Sequence, residues 1–282
     1  MVRAVMTSLG RAWHWQHGEI APFQGGVSLS DRGFRYGQHL FESLAVRKGV
    51  PLLAAEHLAL LVASAKEHHF PFPRGLSAAL RRFLRSLSLA EGMLRIYLTA
   101  GVGAPASPIQ HPGCYLTWEP IHFPTPEEIE KGLALTCLKK PFLGSEWGVK
   151  SGNYAAHLQA LQSARAAGAD EGIVCNGKGQ ILSCTMANLL VWMPSSSRKE
   201  ILLTTPPSGE SVRAGAVLEW VRGRTSVVER ILRPSDLLRA VALAVTNSRL
   251  GVMPVTVLDG GQLPDPSLAR ALAADYLRQV VA

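Results

Sequence analysis

In the stretch VKSGNYAAHLQ, residues 149–159, Lys150 stands where a short apolar segment breaks toward a helix, with Asn153 and Tyr154 close behind. A lysine tucked into such a corner loses hydration unless something compensates its ammonium. Desolvated, or set beside positive or polar neighbours, the same side chain has a lowered pKa and becomes an amine nucleophile toward a carbonyl. Taken alone, Lys150 reads as a solvated surface charge, because lysine is rarely buried. Arg95 could bind an acidic substrate or flank a strand. His39, His57, His68 and His69 show no spacing that converges on a metal, and the four cysteines form no CxxC pair and no Cys/His ligand pattern. A surface or packing role is the reading for these histidines. Asp31 and Glu42 read as turn and structural anchors, and Asp170-Glu171 as structural.

The elements that must position Lys150 follow from hydrophobic period and turn residues. Glycine turns at Gly25-Gly26, Gly33 and Gly49 bracket a strand from Leu40 to Val46, and EHLALLVASAKEHH turns helical from Glu56. SAALRRFLRSL is a second helix, with Leu80, Phe83, Leu84 and Leu87 on one face. GMLRIYLTAGVGA and CYLTWEPIHF read as strands. Pro120, Pro124 and Pro126 mark 120–128 as a linker, since proline interrupts ladders and helices alike. It divides a small N-terminal α+β domain, 1–119, from a larger C-terminal domain, 129–282, that carries Lys150. In the second part LALTCLKKPF is a strand. A helix runs from Ser151 to a stop at Gly168, with Tyr154, Leu158 and Leu161 at helical spacing. EGIVCNGKGQILS is a hairpin turning at Asn176-Gly177. NLLVWM and EILLTTPP are strands, and the tail from Pro264 closes as a helix.

Five stretches in this order resemble the fold-type IV pyridoxal phosphate enzymes (aminotransferase class IV): SDRGFRYGQHLFESLAVRKG, EHLALLVASA, VKSGNYAAHLQALQSARAAGADEGIVCNGKGQIL, TMANLLVW and TNSRLGVMPVTVLDG. They span about residues 30–260, nearly the whole chain. The resemblance implies an α+β, two-domain, D-amino acid aminotransferase-like fold. It implies a homodimer with pyridoxal 5'-phosphate between a small and a larger domain, and a small-molecule amine or amino-acid substrate. Lys150 matches the lysine that carries the cofactor as a Schiff base. The short interval from Lys150 to Asn153 and the SCTMAN segment are closer to aminodeoxychorismate lyases and D-amino acid aminotransferases than to branched-chain enzymes. Tyr154 corresponds to a tyrosine near the cofactor in branched-chain relatives. Tyr36 corresponds to a position lining the substrate pocket, and equally reads as a strand-end tyrosine of the N-terminal domain.

Three positions depart from the family pattern. Leu60 stands where an arginine grips the cofactor phosphate, so a bidentate, charge-assisted contact is replaced by none. Val217 stands for the threonine of the phosphate loop, which leaves the backbone N–H groups of Ala216 and Val217 at a helix start, with Ser248 as a surviving hydroxyl. Ser183 replaces the glutamate that pairs with the pyridine nitrogen. A carboxylate keeps that nitrogen protonated and the ring a strong electron sink, which a hydroxyl does not. Weakened cofactor binding is the expectation.

The chain of 282 residues is 47% hydrophobic and 18% charged, a globular profile with no apolar run long enough for a membrane span. Met1 to Arg11 has no continuous apolar core, so no secretory signal is read there, and a reduced, cytoplasmic protein is expected. The net charge of +8 is scattered. Its densest group, Arg81, Arg82 and Arg85, lies on a helical pattern without interleaved aromatics, so a solvated face is expected and no nucleic-acid partner. The leading expectation is a lyase of the 4-amino-4-deoxychorismate type that releases pyruvate and forms an aromatic amine. An aminotransferase on small, branched-chain or D-amino acids is the second. A relative that keeps the fold without the cofactor is the third.

Overall fold

The structure, a computed structural model, describes residues 11–87, 90–142, 149–195, 200–209 and 212–281. The first ten residues, where a secretory signal was sought, and 143–148, just before Lys150, lie outside them. The fold is α+β in two units, one of residues 1–122 with Lys150–Gly152, the other of 123–149 with 153–282.

The first unit runs β1 (Arg11–Gln16), β2 (Glu19–Pro22), α1 (Arg32–Tyr36), β3 (His39–Arg47), β4 (Val50–Pro51), α2 (Ala54–Glu67), α3 (Leu76–Ser86), β5 (Gly92–Thr99) and β6 (Gly113–Glu119). Its antiparallel sheet has the order β2-β1-β6-β5-β3-β4. Alternation along β3 sends Leu40, Glu42, Leu44 and Val46 to one face. There they are buried with Leu94, Ile96, Leu98 and Leu116, and with Leu58, Leu61, Leu80 and Leu84 of the two longer helices. Asp31 caps α1 by accepting from the Gly33 N–H, and Gly37 at φ 66° ends it in the left-handed conformation that turns the chain into β3. Arg81, Arg82 and Arg85 of α3 are exposed.

The second unit begins with α4 (Pro126–Lys131), inside the span the prolines had marked as linker. Pro126 occupies its first turn and Thr125 with Glu128 forms a capping box, so this proline starts a helix rather than ending one. Then come β7 (Leu133–Cys137), α5 (Ala155–Ala166), β8 (Glu171–Cys175), β9 (Ile181–Cys184), β10 (Asn188–Pro194), β11 (Ile201–Thr205) and α6 (Ala216–Arg222). They are followed by β12 (Val227–Glu229), α7 (Pro234–Leu237), β13 (Ala242–Asn247), β14 (Gly251–Leu258), β15 (Gly261–Gln262), α8 (Ser267–Tyr276) and a π-helical turn at Leu277–Val281. The sheet order is β12-β11-β10-β13-β14-β7-β8-β9, with β15 against β14. Ala269, Ala273 and Tyr276 of α8 are buried, and Tyr276 meets Trp220 of α6 edge-on at 5.1 Å.

Two local expectations change. The helix expected from Ser151 starts at Ala155, because Ser151 is bridged to Leu40, and its apolar spacing does not mark a core face: Leu158 is 49% exposed. The β8–β9 connection is not a two-residue turn at Asn176-Gly177. Asn176 Oδ1 accepts from the N–H groups of Lys178 and Gln180, and the positive φ falls at Gly179, so the asparagine closes a longer loop on itself.

Candidate active site

Lys150 was assigned by sequence to the larger domain, but by contacts it groups with the first unit. The Phe41 N–H donates to the Lys150 carbonyl at 2.9 Å, the Gly152 N–H donates to the His39 carbonyl at 3.0 Å, and Ser151 bridges Leu40 antiparallel. β4 pairs β3 only at Val46 and Arg47, so the tripeptide covers the far end of the same strand. Glycine at 152 allows it: a Cβ there would lie 2.4 Å from His39 Cε1 and 2.6 Å from the Gly37 carbonyl oxygen.

The Lys150 side chain is half-buried, with Nζ 5.1 Å from the centroid of the Phe41 ring. The ring's negative face meets the ammonium and offsets part of its lost hydration, which answers how a lysine is tolerated at this corner. Phe41 belongs to a group with Tyr97, stacked at 6.0 Å, and His39, edge-on to Tyr97 at 5.7 Å. His39 Nδ1 lies 3.3 Å from the Gly33 carbonyl. Burial lowers the His39 pKa, an effect only partly opposed by that hydrogen bond and by Asp31.

Of the other first-unit candidates Tyr36 is exposed and Arg95 half-buried. Tyr36 ends α1 at 43% exposure, with the Arg35 guanidinium 5.0 Å from its ring. The Arg95 guanidinium is ion-paired with Glu119, so a carboxylate of the chain itself already meets its charge. On the core side of β3, Glu42 Oε2 and His57 Nδ1 form a buried pair at 2.8 Å, the structural anchoring expected of Glu42. Leu60 is half-buried on α2.

In the second unit Tyr154 stands at the N-terminus of α5, stacked on His157 at 4.6 Å. His157 Nδ1 reaches the Thr185 carbonyl at 2.8 Å. Thr185 gives its N–H and O–H to the Glu171 carboxylate, which also accepts from the N–H groups of Gly172 and Met186. Burial raises the Glu171 pKa, while these hydrogen bonds pull it back. The turn just after Ser183 is thus clamped from α5 and from β8, and Asn247 adds a third hold by donating to the Met186 carbonyl. Ser183 Oγ donates to the Cys184 carbonyl at 2.8 Å, leaving its lone pairs for an external donor. Asn188 ties the approach to α6, donating to the Arg213 carbonyl and accepting from the Gly215 N–H. Ala216 and Val217 are buried in the first turn of α6, and Gly215 offers no capping side chain. Ser248 sits in the turn after β13, which Asn247 Oδ1 shapes by accepting from the N–H groups of Arg249 and Leu250. Phe41, His157, Glu171 and Asn188 were not among the candidates. Alternation along β3 could have singled out Phe41, but nothing local announces the other three.

Among the described residues no group of three or more His, Cys, Asp or Glu could hold a metal, all four cysteines are free thiols, and no helix is long and apolar enough to cross a membrane. The profile of the family described as Amino-transferase class IV matches residues 39–258, and the chain belongs to that family of enzymes. It is similar to a Methanocaldococcus jannaschii protein named for branched-chain-amino-acid aminotransferase activity, 26% identical over 245 residues and covering 83% of each chain. The 4-amino-4-deoxychorismate lyase structure from Pseudomonas aeruginosa aligns at TM-score 0.79 and 26% identity, over 95% of this chain and 100% of that one. A Mycobacterium tuberculosis structure described as a hypothetical aminotransferase in its PLP-bound form aligns at TM-score 0.75 over 96% and 99% of the chains. Its 21% identity speaks to the fold alone.

Proposed function

We propose that the chain is a pyridoxal phosphate-dependent lyase of the 4-amino-4-deoxychorismate type, acting on a small-molecule amine as a cytoplasmic homodimer. The observation that carries the reading is the Lys150 tripeptide. It is hydrogen-bonded into β3 with its amine over Phe41, and Asn153 follows at the lyase-like interval. The donor chemistry fits the cofactor: a partly desolvated amine for its aldehyde, and backbone N–H groups of Ala216 and Val217 with the Ser248 hydroxyl for its phosphate. Ser183 stands at the sequence position of the ring-nitrogen partner, but with its proton given to the Cys184 carbonyl it could meet that nitrogen only as an acceptor, when the nitrogen is protonated. Tyr154 stands at the sequence position of the residue near the ring oxygen. Pyridoxal phosphate, when bound, supplies an electron sink for charge developing at the amine-bearing carbon.

The chain's own residues do the rest. Lys150 takes up and returns a proton at Nζ, and the Phe41 face holds that amine in place while it is charged. The clamp on Thr185 and Met186 fixes Ser183. With Leu60, Val217 and Ser183 in place of stronger partners, cofactor affinity is reduced, since each charge-assisted hydrogen bond contributes about 1.5–3 kcal/mol. The Methanocaldococcus jannaschii relative supports a second reading, an aminotransferase, against which the uncharged Ser183 weighs because transamination asks most of the electron sink. Incubation with 4-amino-4-deoxychorismate separates the two: the lyase releases pyruvate and arylamine in equal amounts without an acceptor. Amine consumption that requires a 2-oxo acid and yields no pyruvate from this substrate would establish the aminotransferase instead.

A further inference from the structure

The imidazole of His157 touches groups that arrive from different elements. Its ring stacks on Tyr154, one turn back along α5, at 4.6 Å and an interplanar angle of 20°. Its Nδ1 lies 2.8 Å from the Thr185 carbonyl in the turn after β9, and because a carbonyl only accepts, Nδ1 carries the proton of that contact. Phe142, whose N–H donates to the Cys175 carbonyl at the end of β8, meets the imidazole edge-on at 4.7 Å. The stack uses the face of the imidazole and the hydrogen bond lies in its plane, so a turn of the ring breaks both. A shift of the Thr185 carbonyl therefore tilts the ring on which Tyr154 rests. Ser183 lies two residues before Thr185, and the Cys184 N–H donates to the Ala187 carbonyl, so Ser183 leads directly into that turn.

We propose that His157 is a positioning residue that holds Tyr154 and the Ser183 turn in one fixed relation, so that both serve the same cofactor ring, a role that rests on the pyridoxal phosphate reading above. Glu171 and Asn247 hold the turn to the sheet through Thr185 and Met186. Its tie to α5 is the His157 imidazole. The two contacts of that imidazole can be removed one at a time. Phenylalanine keeps a ring that stacks on Tyr154 but has no N–H for the carbonyl, whereas glutamine keeps an N–H but offers no ring face. His157 and Tyr154 are both half-buried, so neither replacement has to enter a sealed core.

The test is a titration of the purified protein with pyridoxal phosphate, followed by absorbance, in the wild type and in His157→Phe, His157→Gln and His157→Ala. One lost contact, hydrogen bond or aromatic pair, is expected to weaken binding about fivefold, and His157→Ala by about the product of the two, 25-fold. Two measurements without cofactor separate the contacts. His157→Phe should speed hydrogen exchange at the Thr185 and Met186 amides about fivefold while the Tyr154 ring protons keep the NMR shift that a stacked ring imposes. His157→Gln should do the reverse. A merely structural role would instead speed exchange at the core amides of Leu189 and Val245 and lower the urea midpoint in step with affinity, and that pattern would overturn the proposal. Unchanged affinity in His157→Ala, protection at Thr185 and Met186 that survives His157→Phe, or a Tyr154 shift that survives His157→Gln would each do the same. No binding to the wild type defeats the cofactor reading, and this role with it. Binding that is lost in Lys150→Ala yet unaltered in His157→Ala defeats the role alone.

Discussion

Gly152→Ala probes how Lys150 is held. The added methyl would sit 2.4 Å from His39 Cε1, 2.7 Å from His39 Nδ1 and 2.6 Å from the Gly37 carbonyl oxygen. All three are far inside contact distance, and one belongs to backbone that cannot rotate away. Two hydrogen bonds join the backbone of the tripeptide to β3, Phe41 N–H to the Lys150 carbonyl and Gly152 N–H to the His39 carbonyl. At about 1 kcal/mol each they total about 2 kcal/mol, less than such an overlap costs, so the tripeptide detaches while the sheet stays folded. A loss of about 2 kcal/mol corresponds to about a 30-fold shift in population. Hydrogen exchange at the Phe41 amide should accelerate by about that factor, with the amides of Leu94 and Leu98 unchanged. Adding His39→Ala relieves the ring overlap but not the Gly37 carbonyl, so protection returns only in part. Unchanged protection of Phe41 in Gly152→Ala would refute this account of the lysine's anchorage.

Glu171→Gln replaces a carboxylate accepting from Gly172, Thr185 and Met186 with an amide that turns one donor toward donors. Urea unfolding should show a loss of about 1–3 kcal/mol, and an unchanged midpoint would count against the clamp. His39 holds a proton less readily folded than unfolded, chiefly because of burial, so its contribution is present above the unfolded value of 6.5 and lost as pH falls through the lower folded value. Thermal melts across that range should steepen on the acid side, and His39→Gln should flatten that part of the slope. Burial pushes the Cys114 and Cys137 thiols up to about 12. Both should resist alkylation at pH 8 in the native state and react once urea unfolds the chain; fast native labelling would contradict that burial.

Much of this was legible in the sequence where period and turn chemistry act locally. The alternation of β3, the helical spacing of α2 and α3, and the strands around the Asn176 loop all formed close to where the residues placed them. The ordered motifs identified the family. What stayed hidden depends on partners distant in sequence. Ser151 looks like the start of a helix until Leu40, more than a hundred residues earlier, offers it a strand edge. Pro126 looks like a break until Thr125 and Glu128 cap the turn behind it. Glu171 and His157 have no signal of their own, because their importance lies in the Thr185 backbone they both hold. The ion pair of Arg95 gives no sign in the sequence, because its partner Glu119 lies on the neighbouring strand.

The central claim is that Lys150 is the amine that binds the cofactor, and one spectrum addresses it. Purified protein is incubated with excess pyridoxal phosphate, and its absorbance is compared with that of Lys150→Ala treated identically. The account predicts a band near the visible edge in the wild type that is missing from the variant. The same band in both proteins, or none in either at saturating cofactor, would contradict it.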